Sequence, residues 1–101
     1  MEKLAILVML EAGPGMAAEL EAFLASALPM AQAEPDTVGW YALRLGPNSF
    51  GIFDTFADQA GRDAHLAGEM ARALFTRADA LLAEPPTVVK AEIVAGKARQ
   101  L

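Results

Sequence analysis

A chain of 101 residues, 54% apolar and 21% charged, is large enough for one hydrophobic core and too apolar for a disordered linker. Its net charge of −5 has the wrong sign for a nucleic-acid partner, whose phosphates demand a basic stripe. With no cysteine there is no disulfide framework, thiolate nucleophile or thiolate metal site, and a reducing cytoplasm is the default compartment.

Leu4 to Leu10 is an unbroken apolar run, the pattern of a strand buried on both faces. Lys3 before it and small residues after it give a superficial likeness to a secretory leader, but the run is short for that role and Glu2 and Glu11 bracket it. No stretch approaches the roughly 18 to 20 apolar residues of a membrane span. Gly13, Pro14 and Gly15 punctuate the chain, with Pro14 suited to the first position of a helix. Met16, Leu20, Phe23, Leu24 and Ala27 form one helical stripe, and Glu19 and Glu21 lie off it near the positive end of the helix dipole. Pro29 is expected to interrupt this helix, which resumes for about one turn through Ala33. Gly13 to Ala18 also spell G-x-G-x-x-A. Pro14 has no N–H for a phosphate and a hairpin follows rather than a parallel crossover, so the dinucleotide fingerprint is set aside.

Glu34, Pro35 and Asp36 end the helical region, and Thr37 to Leu45 reads as a second strand. Gly46, Pro47, Asn48 and Ser49 are turn residues, so a β-hairpin is expected. With Pro47 and Asn48 at its centre, Tyr41 falls opposite Asp54, Leu43 opposite Ile52 and Leu45 opposite Phe50, while Trp40, Arg44 and Phe53 share the other face. Phe50, Ile52, Asp54 and Phe56 alternate at the strand period. From Ala60 onward, Ala60, Ala64, Ala67, Ala71, Leu74 and Ala78 recur at helical steps, with Asp58 as N-cap and Arg62 as its surface partner four residues on. Pro85 and Pro86 stop this helix, Thr87 to Val94 is a fourth strand, and residues 96–101 are expected to form a flexible tail.

The order β-α-β-β-α-β predicts an α+β, ferredoxin-like fold: one domain over 1–101 with a folded core in 1–95, a four-stranded antiparallel sheet and two helices on one face. One chain covers one sheet face only. The apolar residues on the other predict a homodimer packed sheet to sheet, a dimeric α+β barrel.

His65 is the chain's only histidine and the one side chain whose ordinary pKa suits proton transfer near neutrality. On a wheel centred on the alanine stripe it falls about 140° away at 100° per residue, beside Arg62, Glu69 and Arg72, which is a solvated position. Gly61 and Gly68 argue otherwise. Each weakens a helix by roughly 1 kcal/mol relative to alanine, and together they clear space for a ligand or another element beside the imidazole. With a single histidine and no cysteine, no metal site is expected.

Two stretches resemble the antibiotic biosynthesis monooxygenase (ABM) domain of the dimeric α+β-barrel superfamily. They are Thr37 to Leu45, TVGWYALRL, following Glu34 and Pro35, and Phe50 to Leu66, FGIFDTFADQAGRDAHL. The resemblance implies a cofactor-independent monooxygenase that oxidises a small phenolic, quinol or polyketide-like aromatic substrate with O₂, in a pocket between sheet and helices. It implies His65 as base, Asp54 orienting a hydroxyl or the base, and Trp40, Tyr41, Phe53 and Phe56 as substrate-binding aromatics. A haem-degrading branch carries a matched asparagine, tryptophan and histidine. This chain has Phe56 in place of that tryptophan and no asparagine in its first strand. Two other readings use the same fold: a non-redox isomerase or decarboxylase, and a non-catalytic dimer binding a small aromatic ligand.

Overall fold

Leu4–Glu11, rich in β-branched and aliphatic residues, forms β1, a central strand whose hydrogen bonds are taken up on both edges. Around it the computed structural model, which describes residues 2–97, arranges α1 (Ala17–Ser26), α2 (Leu28–Gln32), β2 (Thr37–Arg44), β3 (Ser49–Phe56), α3 (Gln59–Leu66), α4 (Glu69–Leu81) and β4 (Thr87–Glu92). The four strands run in the order β2-β3-β1-β4, and every neighbouring pair is antiparallel. Residues 98–101 of the expected tail lie outside the described residues.

Both helical regions are broken. The first breaks as expected: α1 ends at Ser26, and Leu28–Gln32 follows with Pro29 in its first turn, where a missing N–H leaves no bond unmade. The helix does not begin at Pro14, however. Gly15 takes a left-handed φ of 74° in a turn, and α1 starts at Ala17. The second region, expected as one helix, is two: α3 closes at Leu66, and Gly68, in extended conformation, caps the start of α4. Asp58 is the N-cap of α3 as expected, its Oδ1 accepting from the Gly61 N–H at 2.9 Å. Arg62 does not pair with Asp58. Its Nη1 donates to the Ala91 carbonyl at 3.1 Å and the Ala5 carbonyl at 3.4 Å, tying α3 to β4 and β1.

The hairpin register differs by one residue from the expected pairing. Leu45 N–H donates to the Ser49 carbonyl at 2.8 Å, so the loop takes one residue more than a two-residue turn. Trp40 therefore lies opposite Asp54, Tyr41 opposite Phe53, Ala42 opposite Ile52 and Arg44 opposite Phe50. The shift moves Trp40 to the helix-covered face and Tyr41 to the open one, beside Phe53.

The core lies between the sheet and the helices. Ile6, Val8, Leu10, Phe50, Ile52 and Phe56 meet Leu20 and Leu24 of α1 and Met70, Leu74 and Leu81 of α4. Within this chain the helices cover β1 on this side only. On the opposite surface Met9, Tyr41, Leu43, Phe53 and Val89 are exposed.

Candidate functional site

Asp54 belongs to the apolar alternation of β3 and is carried by it into the core, where it is 0% exposed. A lone carboxylate there would be strongly unfavourable, and its opposite charge comes from His65. Nε2 of the imidazole stands 2.8 Å from Asp54 Oδ2. The contact is close but poorly aligned for a hydrogen bond, and among the described residues neither carboxylate oxygen has a hydrogen-bond partner. The attraction is mainly that of opposite charges at short range.

His65 is 7% exposed, which overturns the solvated position given by the alanine stripe. Ala60, Ala64 and Ala67 face outward, and Gly61 and His65 form the inward side of α3. The two glycines make room for another part of the chain, the α2–β2 connection. A Cβ on Gly61 would stand 3.1 Å from both Cβ and the carbonyl oxygen of Asp36, and one on Gly68 would stand 3.1 Å from Glu34 Oε2. That close approach brings Glu34 to the imidazole, with Oε1 2.6 Å from Nδ1. The same oxygen accepts from Thr37 Oγ1 at 2.7 Å. The ring of Phe56 backs the imidazole at a centroid distance of 5.3 Å.

His65 thus sits between two carboxylates. Burial pushes its pKa down, but the carboxylates of Asp54 and Glu34 on either side of the ring outweigh that, and it titrates above the usual 6.5. Asp54 holds one ring nitrogen from inside the core, and Glu34, its side chain 20% exposed, holds the other from the rim.

Beside this cluster opens a cleft of about 470 Å³. Met30, Ala33, Pro35 and Ala64 supply apolar walls, the buried His65 forms its inner end, and Glu34, Asp36, Thr37 and Glu69 add polar groups toward the rim. The structure brings His65 and Asp54 together at this end. It does not bring the four aromatic residues there: Phe56 is buried behind the imidazole, Trp40 is packed against the core, and Tyr41 and Phe53 lie on the open sheet surface. Sequence reasoning missed Glu34 and Thr37. Their spacing of three residues, with the carboxylate closing one element and the hydroxyl opening the next, was the available signal. Among the described residues, no group of three or more His, Asp or Glu side chains is disposed to hold a metal ion, and no helix is long and apolar enough to cross a membrane.

No protein-family model and no curated protein matches the chain. Solved structures do. The chain is 54% identical to a crystallised protein of unknown function from Nitrosomonas europaea, with a TM-score of 0.96 over 99% of this chain and 97% of that one. A Pseudomonas aeruginosa structure is similar at 21% identity and a TM-score of 0.79, covering 94% of this chain and 97% of the other. The crystal structure of an antibiotic biosynthesis monooxygenase is similar at 19% identity and a TM-score of 0.77, covering 91% of this chain and 99% of that one. The last two likenesses are of fold, and a fold alone does not fix chemistry. The chain belongs to the same family as the Nitrosomonas europaea protein, and its fold is that of the antibiotic biosynthesis monooxygenases.

Proposed function

We propose that the protein is a cofactor-independent monooxygenase for a small phenolic, quinol or polyketide-like aromatic substrate, working as a homodimer. The observation that carries this reading is an imidazole at the inner end of an apolar cleft, with its rear nitrogen held by a buried carboxylate. Once Nδ1 has given up its proton, a base in that setting takes the phenolic proton through it, and Asp54 stabilises the imidazolium that results. The deprotonated ring then supplies the electrons that reduce O₂. Overall the ring C–H and the phenolic O–H bonds break, the ring carbon becomes a quinone carbonyl with one oxygen atom, and the other oxygen leaves as water with both hydrogens. A raised pKa brings the histidine nearer to a phenol, which eases the transfer.

The fold shared with an antibiotic biosynthesis monooxygenase supports the reaction class. The exposed apolar residues of the open sheet surface support the dimer, since a monomer would leave Met9, Tyr41, Leu43, Phe53 and Val89 in water. In this reading Tyr41 and Phe53 pack against the second subunit, and Phe56 holds the imidazole in place.

Oxygen consumption with a panel of dihydroxyaromatic compounds tests the proposal. A substrate-dependent uptake is expected, falling by at least about 100-fold in a folded His65→Gln variant. A variant as fast as the parent at saturating substrate refutes the base. Turnover without oxygen uptake would favour the isomerase or decarboxylase reading.

A further inference from the structure

We propose that the point now occupied by Glu34 Oε1 is an oxyanion site, in which a phenolate or enolate oxygen of the substrate replaces the glutamate between His65 Nδ1 and Thr37 Oγ1. The inference rests on the reading of this cleft as the substrate site. Two donors from different elements converge on that one oxygen, Nδ1 at 2.6 Å and Oγ1 at 2.7 Å. Convergent donors aimed at a single position are the mark of a site built for an anionic oxygen. In this structure the chain's own carboxylate fills it.

The two carboxylates around His65 differ in how freely they can leave. Asp54 is fully buried on a central strand and has no route to water. Glu34 lies on the short connection between α2 and β2, at the cleft's rim and partly solvated. If it swings outward, its charge passes to solvent and both donors stay in place. Thr37 is held at the start of β2, and the imidazole is held from behind by Asp54. The vacated position then accepts an oxygen of the same charge, and the apolar walls of Met30, Ala33 and Pro35 receive the attached ring. Glu34 is thus a built-in competitor. It keeps the imidazolium paired while the cleft is empty and screens ligands for an acidic oxygen.

The test is binding of 4-nitrophenolate, followed by its absorbance change, to the parent protein, Glu34→Ala and Glu34→Ala/Thr37→Val. Removing the competitor is expected to tighten binding about tenfold, and removing the hydroxyl as well to reverse most of that gain, since a hydrogen bond to a charged oxygen is then lost. Neutral 4-nitroanisole, which has the same ring but no anionic oxygen, is expected to gain nothing. Unchanged phenolate affinity in Glu34→Ala, or an equal gain for the anisole, overturns the proposal. If circular dichroism shows Glu34→Ala unfolded, Glu34→Gln keeps the side-chain volume without the charge and must shift affinity in the same direction. Because binding needs no turnover, a lack of oxygen uptake would defeat the oxygenase reading alone, and unchanged affinity would defeat the oxyanion site alone.

Discussion

Replacing His65 with glutamine is the severest test of the buried pairing. The substitution leaves Asp54, 0% exposed, without its opposite charge. Removing one member of a buried ion pair typically destabilises by about 3–5 kcal/mol, a large share of the roughly 5–15 kcal/mol by which a domain of this size is stable. The pH dependence gives a second signature. The folded pKa of His65 is raised above its unfolded value near 6.5, so its contribution is fully present below 6.5 and is lost as pH rises through the folded pKa. Parent stability should therefore fall as pH rises above about 6.5, and that of His65→Gln should change much less, so the two curves converge in alkali. Asp54→Asn/His65→Gln removes both charges and should recover most of the loss, which a double-mutant cycle isolates. Urea unfolding at one fixed protein concentration is the assay, since dimerisation would couple stability to concentration. A His65→Gln variant within about 1 kcal/mol of the parent near pH 6, or a parent curve flat into alkali, would refute the pairing.

Three further outcomes are expected. The rate of oxygen uptake should rise with pH through an apparent value above 6.5, assigned to the Glu34–His65–Asp54 group as a whole, and a profile already level at pH 6.5 would contradict this. Asp58→Ala removes the acceptor for the Gly61 N–H and should destabilise by about 1 kcal/mol in urea unfolding, with less effect if serine is substituted. Phe53→Glu places a charge on the open sheet surface and should convert a sedimenting dimer to a monomer, and a parent that itself sediments as a monomer would remove the interface.

Element order was legible because the strand and helix periods are clean and prolines and glycines separate them. The break after Leu66 was not, because the alanine recurrence runs straight through Gly68 and a single glycine does not distinguish a cap from a packing position. The hairpin register turned on one loop residue, and nothing in Gly46, Pro47 and Asn48 chooses between loop lengths. For His65 the two signals in the sequence conflict, and the flanking glycines point to the buried position while the alanine stripe does not. Hydropathy weights alanine as core, yet α3 turns Ala60, Ala64 and Ala67 outward and packs Gly61 and His65 against the α2–β2 connection. Asp54 was the legible clue, a carboxylate in the middle of an otherwise apolar strand face. Its partner could be found only by placing α3 over β3.

The strand order also governs when the molecule can form. β1 is synthesised first but is flanked in the finished sheet by β3 and β4, and its pairing reaches from Leu4 to Glu92. A nascent chain therefore carries its most apolar segment with one edge open until almost the whole described sequence has left the ribosome, and so long a closure slows folding. A product shortened before β4 would expose that edge, and aggregation of truncated chains is the consequence to expect.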